Sequence, residues 1–216
     1  MPSIETIATF SLAAFLLCIS PGPSNLYVMA RSISQGHQAG IIAAAGMLLG
    51  SFIYVIASAF GLAAIFLYSP VAYQLVTLAG AAYLLYLASH YFKLANKQIH
   101  TIHNVSPLAQ STIFKQSLVV ELTNPKTALF FIAFLPLFTD PKQGNLNLQL
   151  LILGCIYAVI GFMSDMLVAT LSGKIGLWMN QHPNAGQWQN RVSASLLFTI
   201  AGFIVYEQVL PFFSHS

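Results

Sequence analysis

Between Arg31 and Lys93 the chain carries no Asp, Glu, Lys or Arg. A water-soluble domain cannot cover its surface with so long an uncharged stretch. A bilayer can, because a hydrocarbon core of about 30 Å takes roughly 20 helical residues at 1.5 Å each. The stretch is too long for one crossing, and Tyr68-Ser69-Pro70 divides it into spans over 39–67 and 70–92, a helical hairpin with a tight turn. The same test predicts further spans over 7–29, 113–138, 148–172 and 192–213, giving six helices. Composition agrees: 6% of residues are charged and mean hydropathy is +0.75, where soluble chains carry about 25% charge. Eight Lys and Arg, five Asp and Glu and six His exclude a soluble globule, a disordered chain and a basic nucleic-acid-binding face. The apolar runs do not alternate with period two, which argues against a transmembrane barrel. The N-terminal Met-Pro-Ser-Ile-Glu lacks a basic region and no A-x-A-like site follows the first apolar run, so no cleaved signal peptide is expected.

Orientation follows from the basic residues, since short cytoplasmic loops carry their excess. Arg31, Lys93, Lys97, Lys115, Lys174 and Arg191 fall after the first, third and fifth spans, and only Lys142 falls on the opposite side. Both termini are therefore expected outside the cytoplasm. The polar stretch 96–110 separates a first three-helix unit, 1–95, from a second, 111–216. An odd helix count makes a second copy insert upside down, so the plan reads as a 3+3 inverted repeat, an arrangement common in secondary transporters. Pro21 and Pro125 are separated by the same 104 positions as Gly50 and Gly154, and Ala79-Gly80 recurs as Ala201-Gly202.

The first span is interrupted by Ser20-Pro21-Gly22-Pro23-Ser24-Asn25 and the fourth by Leu122-Thr123-Asn124-Pro125-Lys126. Proline donates no backbone hydrogen bond and clashes with the preceding turn, so both helices should break. A membrane proline also serves as a plain packing kink. Paired polar breaks at corresponding places, however, point to a transporter's central site, because freed backbone groups in hydrocarbon must meet protein or a wet cavity. A half-helix starting near Ser24 would offer N–H groups to a carboxylate, and freed carbonyls could hold an ammonium. Together they suit a zwitterion such as an amino acid, although other small polar solutes fit the same description.

Glu121, Lys126 and Asp165 lie within predicted spans, where each costs about 2.5 to 3.5 kcal/mol on the insertion scale and needs a partner or water. Snorkelling towards the interface is one outcome. The other is function, with Asp165, and Glu121 after it, taking up and releasing a proton, while Lys126 tunes them or binds a carboxylate. Glu207 lies near a span end and reads as interfacial. Gly40, Ala43, Ala44, Ala45, Gly46, Gly50 and Ser51 line the second span and include a G-x-x-x-G pair. They read as close packing against a neighbouring helix or a second subunit, which leaves a homo-oligomer open. His100-x-x-His103 has no Cys or carboxylate companion, so no metal site is expected. There is no P-loop and no hydrolase motif. The reading is therefore a non-enzyme without cofactors, whose partners are a small solute, protons and the lipid bilayer.

Ser20-Pro21-Gly22-Pro23-Ser24-Asn25, followed by Gly36, Gly40, Gly46 and Gly50, resembles the LysE/RhtB family of bacterial amino-acid exporters. Asn124-Pro125-Lys126-Thr127-Ala128-Leu129-Phe130-Phe131 and Phe134-Leu135-Pro136-Leu137-Phe138 resemble its second signature, and the segment from Gly80 to Leu87 is also similar. The resemblance covers essentially the whole chain. It implies a multi-pass exporter in the bacterial cytoplasmic membrane for amino acids such as threonine, homoserine or lysine, driven by the proton-motive force as in antiport. It also implies a substrate site at Pro21, Gly22, Pro23, Ser24, Asn25, Asn124, Pro125 and Lys126. Ser24 stands where the family usually has asparagine, and Leu137 where glutamine is frequent. Two alternatives differ in class. One is a membrane thiol–disulfide reductant conductor using Cys18, whose symmetric partner should precede Pro125 whereas Cys155 lies in the fifth span. The other is an accessory membrane subunit without transport of its own.

Overall fold

The computed structural model describes residues 1–19, 22–62, 106–140 and 143–181, together with single positions within 71–93 and 187–206. The third and sixth predicted spans, the Tyr68-Ser69-Pro70 turn, Ser20, Pro21, Lys142, His100, His103 and most of the linker lie largely or wholly outside the described residues. No strand occurs among the described residues.

The first predicted span is two helices, α1 (Ile4–Ile19) and α2 (Pro23–Gln35), bent by 52°. Proline at the first turn of α2 costs nothing, since its missing N–H would have had no partner there. α2 runs on past the expected end of the span until Gly36, whose φ of 88° is a conformation that favours glycine. Arg31, expected in a loop, therefore sits buried in α2, where its Nη1 donates to the Ser106 carbonyl at 3.1 Å. Gln35 both accepts from the Leu108 N–H and donates to the Leu108 carbonyl. The end of the linker is thus tied to α2.

α3 (His37–Ala57) continues through a π-helical turn, Ser58–Leu62. The fourth span again consists of two helices, α4 (Gln110–Leu122) and a second piece bent from it by 45°. That piece begins as α5 (Pro125–Leu129) and continues through a π-helical turn, Phe130–Phe134, and a tight 3-10 turn, Leu135–Phe138. α6 (Leu146–Gln181) is longer than the predicted fifth span because nothing in its sequence breaks it. Among the described residues, two helices are long and apolar enough to cross a membrane, or up to four if each bent pair is one span.

Packing is inside out relative to a soluble protein. Leu49, Ile53, Ile56 and Phe60 on α3 and its extension, and Val159, Met163, Leu167 and Leu171 on α6, are exposed at helical spacing. Ser24, Ser51, Glu121, Asn124, Lys126, Thr127 and Asp165 are buried. In a bilayer this puts the apolar stripes in lipid and the polar groups against protein. The G-x-x-x-G stripe does pack a helix: a Cβ at Gly50 would lie 2.8 Å from both Cβ and Cγ of Glu121, and one at Gly46 would run into Ser117 and the Phe114 carbonyl. α3 and α4 therefore approach closely and press Glu121 against α3. Ala81, Ala88 and Ala201 are buried together, with Leu129 and Leu137 packed on them.

Candidate functional site

The second break is closed by Asn124 and by Tyr54 of α3. Asn124 caps α5, its Oδ1 accepting from the Lys126 N–H at 3.0 Å. The Asn124 N–H donates to the Glu121 carbonyl at 3.1 Å, and the Tyr54 hydroxyl donates to the Leu122 carbonyl at 2.7 Å. At the first break the Cys18 carbonyl accepts from Asn25 Nδ2 at 3.4 Å and Ser164 Oγ at 3.2 Å. The carbonyls of Cys18, Glu121 and Leu122 thus each have a donor within the protein.

Ser24 joins the two breaks. Its hydroxyl accepts from Asn124 Nδ2 at 2.7 Å and donates to Glu121 Oε2 at 2.5 Å. Glu121 Oε1 accepts from Ser51 at 2.8 Å and from Thr127 at 3.1 Å. Glu121 thus takes three hydroxyl donors from α2, α3 and α5, a pattern in which a carboxylate only accepts. Lys126 is buried across the break from Gly22, where a Cβ would lie 3.3 Å from its Cδ.

These groups surround a cavity of about 30 Å³, lined by Cys18, Ser24, Asn25, Met47, Leu48, Ser51, Glu121, Lys126, Tyr157, Gly161, Phe162 and Asp165. Both breaks and all three ionisable residues singled out in the spans meet there. Gly22, Asn124 and Pro125 shape the cavity without lining it, Pro23 is exposed, and Pro21 is outside the described residues. Glu121 and Asp165 differ in surroundings. Glu121 is held by three hydroxyls, whereas Asp165, equally buried, makes no hydrogen bond with another described residue. Ser51, Thr127 and Tyr157 complete the site, although the sequence marks Ser51 only as a packing residue and gives the other two no site role. The signal available for Ser51 was its place directly after Gly50, on the face pressed against Glu121.

The cavity is narrow and has room for ordered water among its polar groups. Cys18 and Cys155 are free thiols. Among the described residues no group of His, Cys, Asp or Glu could hold a metal ion.

A buried polar cavity within a shell of apolar helices suits a membrane protein that handles a small polar solute. The model of the LysE type translocators matches residues 15–208, and the chain belongs to that family. It is 34% identical over 155 residues to the leucine efflux protein of Enterobacter sp. (strain 638), covering 72% of this chain and 74% of that one. It is 30% identical over 196 residues to the homoserine/homoserine lactone efflux protein of Salmonella typhimurium, covering 90% and 93%. The leucine efflux protein of Salmonella choleraesuis is 31% identical over 156 residues, covering 71% and 73%. No solved structure matches the chain. The protein is an integral membrane protein of a translocator family, and the thiol-conducting and accessory-subunit alternatives find no support in these matches.

Proposed function

We propose that this protein is a secondary exporter of amino acids or closely related small zwitterions across the bacterial cytoplasmic membrane, coupled to proton entry. Its substrates are amino acids with uncharged side chains of about threonine or homoserine size, with leucine as a further candidate from the names of the relatives. The plan is six helices in two inverted three-helix repeats, 1–95 and 111–216, joined by the linker 96–110, with both termini outside. The bend at matching places in the first and fourth spans supports it.

The observation that carries the reading is the convergence of both breaks, Lys126, Glu121 and Asp165 on one cavity. Lys126 receives the substrate carboxylate. Asp165, which lacks a hydrogen bond among the described residues, receives either a proton or the substrate ammonium. One acid that holds one or the other, and not both, exchanges them across the membrane. Glu121, already bonded three times, organises the breaks and is second to Asp165 as a proton group. Gly22, Ser24, Asn25, Asn124 and Pro125 set the shape of the site, and Pro23 opens the helix that follows its first break.

Efflux from cells loaded by dipeptide feeding tests this reading. Cells carrying the protein should release one class of amino acid faster than vector cells. No increase for any amino acid, with the protein present in the membrane, would overturn it.

A further inference from the structure

A second cavity, of about 310 Å³, lies at the far end of the same helices, lined by Pro2, Glu5, Thr9, Phe138, Asp140 and Gln149 among others. Two helices run from one cavity to the other. On α1 Thr9 lines the second cavity and Cys18 the first; on α6 Gln149 lines the second and Tyr157 the first. Eight or nine residues separate each pair, about 12 to 14 Å at 1.5 Å per residue.

That interval is filled with rings. Tyr157, in the wall of the first cavity, stacks on Phe130 with centroids 3.8 Å apart. Phe130 meets Phe10 at 5.7 Å, and Phe10 meets Phe138, in the wall of the second cavity, at 5.2 Å. Phe134 closes a parallel path, 5.1 Å from both Phe130 and Phe138. The column thus begins at one cavity and ends at the other. It is built on the π-helical turn Phe130–Phe134, which touches the π-helical turn Ser58–Leu62 of α3. Such turns interrupt the regular hydrogen-bond ladder and recur at functional sites.

We propose that Phe10, Phe130, Phe134 and Phe138 form the gate between the central cavity and the larger cavity, and that the transported solute passes through this column when the rings part. The identity of the solute rests on the transport reading above; the path itself does not, and can be tested without substrate.

Cys18 is a built-in reporter, since it lines the central cavity. With Cys155→Ser, it becomes the sole cysteine. A membrane-impermeant methanethiosulfonate reagent is applied to one membrane face at a time, using intact cells and inverted vesicles. A separate Cys18→Ala, Cys155→Ser, Thr139→Cys protein identifies the face on which the larger cavity opens. Phe10→Ala and Phe138→Ala should each speed Cys18 labelling from that face at least about tenfold, by raising the population of the open gate, with no change from the other face. Phe10 is fully buried and its loss can unfold the protein, which would expose Cys18 to both faces; Phe138, only partly buried, provides the milder variant. Unchanged labelling from the larger cavity's face in the Phe138→Ala protein, or an equal rise from both faces, would overturn the gate. Failure of amino-acid efflux in the wild-type protein would instead strike the transport reading and leave this result standing.

Discussion

The two helix breaks solve the same problem in different ways. The second supplies its own cap, Asn124, and closes its freed groups at 2.7 to 3.1 Å. The first begins α2 at Gly22, which has no side chain to cap with, and its Cys18 carbonyl is held at 3.2 to 3.4 Å, one of its two donors lying on α6. Both breaks draw one bond from another helix, Tyr54 of α3 for the second and Ser164 of α6 for the first, but the bonds of the second are shorter. Shorter bonds hold a break more firmly, so the first break is expected to yield first, with Ser24 as the latch between the two.

Removing the cap of the second break should have the largest effect on stability. Asn124→Ala deletes the cap on the Lys126 N–H and the donor to Ser24, about 1 kcal/mol for the cap and another 1 to 3 kcal/mol for buried groups left unpaired. Thermal unfolding in detergent should drop by several degrees. Gly50→Ala comes next, because the new Cβ overlaps Glu121 and overpacking costs about 1 to 3 kcal/mol. Part of that effect should appear as a displaced Glu121 and slower efflux. Ser24→Ala keeps the cap but leaves Asn124 Nδ2 and a Glu121 oxygen without this partner, and should cost about 1 to 2 kcal/mol. Asn25→Ala removes only the 3.4 Å bond to Cys18 and should cost less than about 0.5 kcal/mol. If Asn25→Ala destabilised as much as Asn124→Ala, the contrast between the breaks would disappear.

Much of this site could be read from residue types that have few alternatives in a membrane. Proline removes a donor wherever it stands, so Pro125 and the Pro21-Gly22-Pro23 run marked the breaks. Glu121, Lys126 and Asp165 stood out because charge is expensive in hydrocarbon. Ser51, Thr127 and Tyr157 did not, since hydroxyls are common in membrane helices and only helix rotation decides which ones face a carboxylate. The aromatic column was equally hidden: its members come from α1, from the helical piece that begins with α5 and from α6, and the π-helical turn that aligns Phe130 and Phe134 has no sequence signature. The ends of α2 and α6 were missed for a simpler reason. Hydropathy marks where the membrane ends, and a helix continues until a residue such as Gly36 stops it.

The claim that the paired breaks enclose the transport site rests most heavily on Asp165. Efflux of the exported amino acid should be compared in the wild-type protein, Asp165→Asn and Glu207→Gln, an acid near the end of the sixth predicted span, at matched amounts in the membrane. Asp165→Asn should lose at least about tenfold, as expected when a buried ionisable partner is removed, and Glu207→Gln should keep near wild-type rates. Export by Asp165→Asn at the wild-type rate would contradict the claim.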